Sequence, residues 1–309
     1  MNIVFMGTPH FSVPILSALA EAYNVVAVVT QPDKPKGRKK ILTPSPVKVA
    51  AQALGIDVLQ PRKIKHHEDE ILKYEPDAII TAAYGQIIGN KLLNTPKYGA
   101  INVHASLLPK LRGGAPIQRA IERGYKETGV TIMIMGKGMD TGPILSKRSV
   151  PINDGDTSGS LFERLSLLGR DLLLETLPSY FKGDITPIPQ IEEEATYAYA
   201  IKRKEEKLDF NEDAETLERK IRAFHPEPNT FIDTLKGRLK VIVASTREND
   251  GTHEPGEIIG FDKKGLEIAT NRGSIILKTV QPSGKKPMDA FAFMNGAGKK
   301  WFKVGTKLS

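Results

Sequence analysis

Three residues in this sequence have the types and spacing for one kind of reaction. Asn102 and His104 lie two apart in GAINVHASLLP, inside an otherwise apolar run that reads as a buried strand. Side chains two apart on a strand share a face, so the amide and the imidazole project together while Ile101 and Val103 point the other way. Further on, GVTIMIMGKGMDTGPIL places Asp140 beyond a second, alternating strand, in a loop freed by Gly136, Gly138 and Gly142. An amide donor, an imidazole and a carboxylate converging at strand ends suit acyl transfer without a covalent nucleophile. Asn102 would stabilise an oxyanion, His104 would move protons, and Asp140 would orient and charge-stabilise the imidazole. A lone Asn-x-His also describes a buried polar pair satisfied by backbone. Its company favours chemistry: SLLP at 106–109 offers backbone groups at a rim, and RGGAP gives a flexible crossing into the next helix.

The elements that must position these residues alternate. NIVFM and NVVAVVT are short apolar runs of the parallel-strand kind. Between them SVPILSALAEAY spaces Val13, Leu16 and Leu19 on one helical face, with Ser12 as a cap and Pro14 in the first turn. A helix opening at Ser45–Pro46, a strand DVLQ, a helix HEDEILKYE and a buried strand DAIITAA precede the Asn-x-His strand. A helix APIQRAIERG, the strand GVTIMIM and a long helix opening at 156–158 follow it. This order predicts an α/β domain over 1–189: an open, mostly parallel, Rossmann-like sheet with helices on both faces, whose strand ends hold the ligand. PIPQIEEEATYAYAIKRKEEKLDF has prolines, an acidic run and no periodicity, and residues 190–208 read as a linker. Residues 209–309, a helix and then short strands with Gly- or Asp-rich turns, read as a small β-barrel of OB-like type.

Composition narrows the function. The absence of cysteine excludes disulfides, thiolate metal sites and a cysteine nucleophile. Histidines 10, 66, 67, 104, 225 and 253 show no ligand spacing, so no metal is expected. The first turn, MGTPHF, has neither a dinucleotide fingerprint nor a P-loop lysine. No leader or membrane span is evident, and a cytoplasmic, monomeric protein is expected. Net charge is +8, and its distribution is uneven: six Lys or Arg and no acid at 34–48, and eight bases against Asp289 at 270–309. Such clusters suit a polyanion, or else are solvated loops. Trp301, beside Lys299 and Lys300, reads as a packing residue rather than a base-stacking one.

In FMGTPHF, TQPDKPKGRKKILTPSPVK, AAYGQIIGNKLL, INVHASLLPKLRGGAPIQRAI, GVTIMIMGKGMDTGPIL and VQPSGKKPMDAFAFMNG the chain resembles the methionyl-tRNA formyltransferase family, nearly end to end. The resemblance implies a formyl donor, 10-formyltetrahydrofolate, an acceptor, methionyl initiator tRNA, and Asn102, His104 and Asp140 in the catalytic positions. It implies folate binding by Ser106, Leu107, Leu108 and Pro109, and a pteridine bordered by Tyr84, Gly85, Gln86, Ile87 and Ile88. It places Arg38, Lys39 and Lys40 at the tRNA acceptor end, and Lys285, Lys286, Lys299 and Lys300 on the tRNA backbone. The chain departs from the family at Glu227, in AFHPEPNT, where a tryptophan is common. The Asn-x-His, SLLP and Asp-Thr-Gly elements are shared by formyltransferases for small amines, of the glycinamide ribonucleotide type. The basic segments favour tRNA, and a non-catalytic RNA-binding protein is the rival from another class.

Overall fold

A central parallel strand is covered on both faces, and its sequence shows it: β1 (Asn2–Gly7) is buried from Ile3 onward without alternation. The computed structural model describes residues 1–37, 39–234, 236–249 and 251–308. They form two units: Met1–Pro116 with Glu127–Pro151 and Phe162–Tyr199, and Ile117–Lys126 with Ile152–Leu161 and Ala200–Ser309.

In the first unit α1 (Val13–Ala22) links β1 to β2 (Asn24–Val29), a hairpin β3 (Lys34–Lys36) and β4 (Ile41–Thr43) follows, and α2 (Pro46–Ala53) leads to β5 (Val58–Leu59). Then come α3 (Glu68–Leu72), β6 (Ala78–Ala82), α4 (Asn90–Asn94), β7 (Ala100–His104), β8 (Glu127–Ile134), β9 (Ile144–Pro151) and, from Phe162 on, α6 (Ser158–Lys182); α5 (Pro116–Glu122), between β7 and β8, belongs to the second unit beyond its first residue. The sheet order is β5-β2-β1-β6-β7-β8-β9, parallel as far as β7. Beyond it β8 and β9 are antiparallel, since each is joined to its neighbour by a connection that reverses the chain.

Two local expectations change. Ser12 makes no side-chain cap; its hydroxyl donates to the Ala82 carbonyl at 2.6 Å and ties the helix start to the end of β6. The buried stripe of α1 is Ile15, Leu16 and Leu19, with Val13 at its margin. Ser45 does cap α2, accepting from the Lys48 N–H at 3.0 Å. Residues 190–199, read as linker, are part of the first unit and bond to its loops: Thr196 and Ala198 pair with the backbone of Arg112.

The second unit carries α7 (Ala214–Phe224) and the strands β10 (Thr230–Thr234), β11 (Gly237–Arg247), β12 (Ile258–Asp262), β13 (Gly265–Ala269), β14 (Ser274–Pro282) and β15 (Met288–Asp289), then α8 (Ala290–Asn295). The antiparallel order is β10-β11-β14-β13-β12, with β15 on β14. Register shifts near Val243 bend β11 against β14. Five of these strands and both helices feed one core, including Ile232, Val241, Ile258, Ile268, Leu277, Leu217 and Phe293, as a barrel interior does. Among the described residues no ladder joins the edges β10 and β12. Trp301 packs edge-on against Phe293 at 5.5 Å, in the packing role its sequence suggested.

On the face of β7 away from Asn102 and His104, Gly169 of α6 lies so close that an added Cβ would stand 2.8 Å from Val103 Cγ1. On β8, a Cβ at Gly129 would stand 2.1 Å from the Arg148 carbonyl oxygen and 2.6 Å from Leu107. The β8–β9 ladder cannot absorb a backbone collision of that size by rotating a side chain. Gly129→Ala is expected to destabilise the protein by about 1–3 kcal/mol, read as a lowered urea midpoint at unchanged slope.

Candidate functional site

The loops that follow β1, β6 and β7 gather at one end of the sheet because those strands are parallel. Thr8 donates to the Tyr84 carbonyl at 3.1 Å, joining two of them. At the end of β7, His104 is 6% exposed, and its ring is held from both sides. Nε2 lies 3.1 Å from the Leu111 carbonyl oxygen, which only accepts, so Nε2 carries a proton and donates it there. Nδ1 faces Asp140 Oδ2 at 3.6 Å. That carboxylate oxygen also accepts from the Gly113 N–H at 2.8 Å.

Leu111 and Asp140, the two residues on the imidazole, have φ of 61° and 52°, in the left-handed region that non-glycine residues avoid. Each aims a polar group at His104 in a conformation its residue type does not favour, a pattern concentrated at functional sites. Asp140 arrives by a route the strand order did not foretell. The β7–β8 register puts Ile134 opposite Ile101 and Thr131 opposite His104, so the loop 135–143 must double back to reach the imidazole. Gly142 permits this, since a Cβ there would lie 1.8 Å from the Ile134 carbonyl oxygen.

Asn102 is half-buried and shares the His104 face. Its Oδ1 accepts from the Thr81 hydroxyl at 2.7 Å. Nδ2 therefore points elsewhere, and it donates to no protein acceptor among the described residues. Thr81 is 2% exposed and has no signature in the sequence, since a threonine in an apolar strand carries no signal of its partner on the next one. Thr131 on β8 is silent for the same reason: its hydroxyl donates to Ser106 O at 2.7 Å and accepts from Leu108 N–H at 3.1 Å, shaping SLLP from behind.

The predicted folate residues divide by burial. Ser106 is buried and donates to Lys110 O at 2.7 Å, and Leu108 is fully buried against Met133 and Ile144. Leu107 and Pro109 are half-exposed. Tyr84 and Ile88 join the core with Val4, Val29 and Leu92. The side chains of Leu108, Tyr84 and Ile88 are committed to apolar packing, so what these segments can offer a ligand is their backbone and their exposed neighbours. Gln86 ties loops together, accepting from Ile64 N–H at 2.9 Å and donating to Pro61 O at 3.1 Å. Gly85 and the 90%-exposed Ile87 form the open part of that loop. The N–H groups of residues 84–88 donate to no acceptor among the described residues, which leaves a polar backbone edge beside the end of β7.

The predicted tRNA residues lie apart from this centre in sequence. Lys39 and Lys40 are exposed in the β3–β4 turn, and Arg38 falls outside the described residues. Lys285 and Lys286 precede β15, and Lys299 and Lys300 follow α8; all four are exposed. Glu227 is exposed too. Among the described residues no three His, Asp or Glu are grouped to hold a metal, and no helix is long and apolar enough to cross a membrane.

Residues 1–177 match the family described as Formyl transferase, and residues 200–298 match Formyl transferase, C-terminal domain. A methionyl-tRNA formyltransferase of Listeria monocytogenes serotype 4a (strain HCC23) is 49% identical over 306 residues, covering 98% of each chain. Among solved structures, methionyl-tRNA formyltransferase from Clostridium thermocellum has a TM-score of 0.58 at 22% identity, over 87% of this chain and 99% of its own. HypX from Aquifex aeolicus in complex with tetrahydrofolic acid has a TM-score of 0.65 at 20% identity. All of this chain aligns to 51% of HypX, so it spans about half that protein's length. At such identities the structures share the fold.

Burial pushes the Tyr84 phenol up to about 12, and its hydroxyl has no partner among the described residues. With an unfolded value near 10, the native state holds this proton more tightly, so its contribution is full below about pH 10 and is lost as pH rises through about 12. Tyr84→Phe is expected to remove that alkaline loss. At pH 7 it should leave stability unchanged or raise it by about 1 kcal/mol, because an unsatisfied hydroxyl goes. Urea melts of both proteins at pH 7 and pH 10.5 measure this.

Proposed function

The chain belongs to the methionyl-tRNA formyltransferase family, and on that premise we propose how its own residues perform the transfer of a formyl group from 10-formyltetrahydrofolate to the free α-amino group of methionyl initiator tRNA. The product is N-formylmethionyl-tRNA for translation initiation. The observation that carries the assignment is Asn102 Nδ2, an uncommitted donor on the face of β7 that also bears the His104–Asp140 pair.

The residues fit a formyl-folate: the open backbone edge of 84–88 suits the hydrogen-bonding rim of a pteridine, and the half-exposed Leu107 and Pro109 supply an apolar wall. When bound, the folate supplies an electrophilic formyl carbon. Asn102 donates from Nδ2 to the formyl oxygen as the amine adds and negative charge gathers there, while Thr81 keeps the amide from turning over. His104 holds its Nε2 proton on Leu111 O, so it takes and returns the reaction's proton at Nδ1, where Asp140 balances the imidazolium. Burial of the imidazole, beside a carboxylate that is 18% exposed, limits exchange with bulk water. Lys39, Lys40 and the family position at Arg38 take the acceptor end of the tRNA; Lys285, Lys286, Lys299 and Lys300 take its backbone, through counterion release. The protein acts as a cytoplasmic monomer in this reading, where charged initiator tRNA and reduced folate are both present.

Purified protein is expected to formylate methionyl initiator tRNA, and neither glycinamide ribonucleotide nor an amino-sugar nucleotide, when each is supplied with 10-formyltetrahydrofolate. Formylation of a small amine without the tRNA overturns the acceptor assignment. Asn102→Ala should lower kcat by about 100- to 1,000-fold. His104→Ala should remove most turnover while tRNA binding persists; unchanged turnover takes His104 out of the mechanism. Replacing Lys39 and Lys40 with Ala should weaken tRNA binding and flatten its log–log salt slope by about 0.7–0.9 for each phosphate that the protein no longer neutralises. A change in folate affinity alone would show that the hairpin serves the other substrate.

A further inference from the structure

Asp140 sits where a left-handed backbone and a doubled-back loop place it, and something must hold it there. The nearest support comes from the segment expected to be a linker. Gln190 donates through Nε2 to the carbonyl of Asp140 at 2.8 Å and to the carbonyl of Gly142 at 2.7 Å. Its Oε1 accepts from Arg112 Nε at 3.1 Å. Arg112 is fully buried, and its Nη1 pairs with Glu192 at 2.8 Å. The next residue, Gly113, donates its N–H to Asp140 Oδ2. The bonds close a ring: Gln190 to the Asp140 backbone, the Asp140 carboxylate to Gly113, and Arg112 back to Gln190.

The rest of the segment is sewn down on either side. Ile188 and Ile144 exchange backbone hydrogen bonds, both at 2.8 Å. Arg112 N–H donates to Thr196 O at 2.8 Å, Ala198 N–H to Arg112 O at 2.7 Å, and Ala115 N–H to Ala198 O at 3.0 Å. Leu111, whose carbonyl holds His104, donates its own N–H to Thr196 Oγ1 at 2.9 Å. Both partners of the imidazole are therefore held by residues 188–198.

We infer that residues 188–198 are a strap over the catalytic loops and that Gln190 is a positioning residue, acting through Asp140 to fix the carboxylate on His104. The inference rests on the assignment of Asp140 to the reaction. Gln190 is the one side chain among the described residues that bonds both to the backbone on either side of Thr141 and to the buried Arg112. An amide suits the task because it donates twice on one side and accepts on the other; a carboxylate of the same shape keeps Arg112 and loses both loop carbonyls.

The test is a double-mutant cycle on the full-length enzyme with methionyl initiator tRNA and 10-formyltetrahydrofolate. Gln190→Glu and Gln190→Ala are each expected to lower kcat about 10- to 100-fold, with KM for either substrate changed less than about threefold. In an Asp140→Asn background, assayed at high enzyme concentration, the same changes should cost less than about twofold, because the positioned group is already lost. Hydrogen exchange read by mass spectrometry should rise in 136–143 in Q190E while the strands keep wild-type protection. An equal fall in both backgrounds, a rise in KM alone, or unchanged kcat in Q190E overturns the positioning role. A fall in kcat for Q190E without faster exchange at 136–143 overturns it as well. Asp140→Asn with full activity overturns the assignment of Asp140 and removes the basis for the strap's role; its loss of activity with Q190E at wild-type turnover overturns the role of Gln190 alone.

Discussion

The site depends on one constraint, the change of direction at β7. This strand is parallel to β6 on one side and antiparallel to β8 on the other. Each neighbour contributes a buried threonine with a separate task. Thr81 on β6 turns the Asn102 amide so that its N–H groups leave the sheet, and Thr131 on β8 takes both ends of the turn that begins SLLP. A wholly parallel sheet would bring the residue after β8 to the same end as His104 by default. Here β8 ends beside Ile101, and the return of Asp140 has to be built from loop backbone.

That requirement explains where conformational cost collects. Non-glycine residues at positive φ persist only when their surroundings over-determine them. Leu111 and Asp140 are such residues, and each is fixed by more than one hydrogen bond, on its own backbone or on that of its neighbours. A buried arginine at the centre of the same arrangement is consistent with this. Arg112 desolvates a full charge, and its pairing with Glu192 and Gln190 reaches only two of its three nitrogens among the described residues. Glu192 is 67% exposed, so its pairing with the buried guanidinium contributes little net stability, and the arrangement serves to fix one geometry of the loops.

The second unit follows a simpler rule. Its strands, α7 and α8 supply one core, while Lys285, Lys286, Lys299 and Lys300 stay on its surface. Lys285 and Lys286 lie in the connection before β15 and Lys299 and Lys300 in a short 3-10 helix after α8, so none of them is committed to a ladder. The same holds for Lys39 and Lys40 at the tip of the β3–β4 hairpin. The root of that hairpin is firmer: Asp33 accepts from Lys48 at 2.8 Å and from Gln60 at 2.7 Å, and these bonds hold its carboxyl below the usual range.

The sequence by itself determined what depends on neighbours a few positions away. Continuous apolar runs marked β1, β2 and β6, the Ser45–Pro46 pair opened α2, and period-two alternation put Asn102 and His104 on one face. It also separated a β-rich second half and located the basic turns. Tertiary structure alone decided the direction of β8, the pairing of Thr81 with Asn102, the Leu111 carbonyl on His104, and the attachment of Gln190 to the Asp140 loop. Alternation reports which residues share a face and is silent on the direction of the partner strand. Positive φ at leucine or aspartate has no compositional mark, unlike a glycine turn. The acidic stretch at 190–199 lacked periodicity because its order comes from hydrogen bonds to distant loops, and such bonds leave no repeat in the chain that makes them.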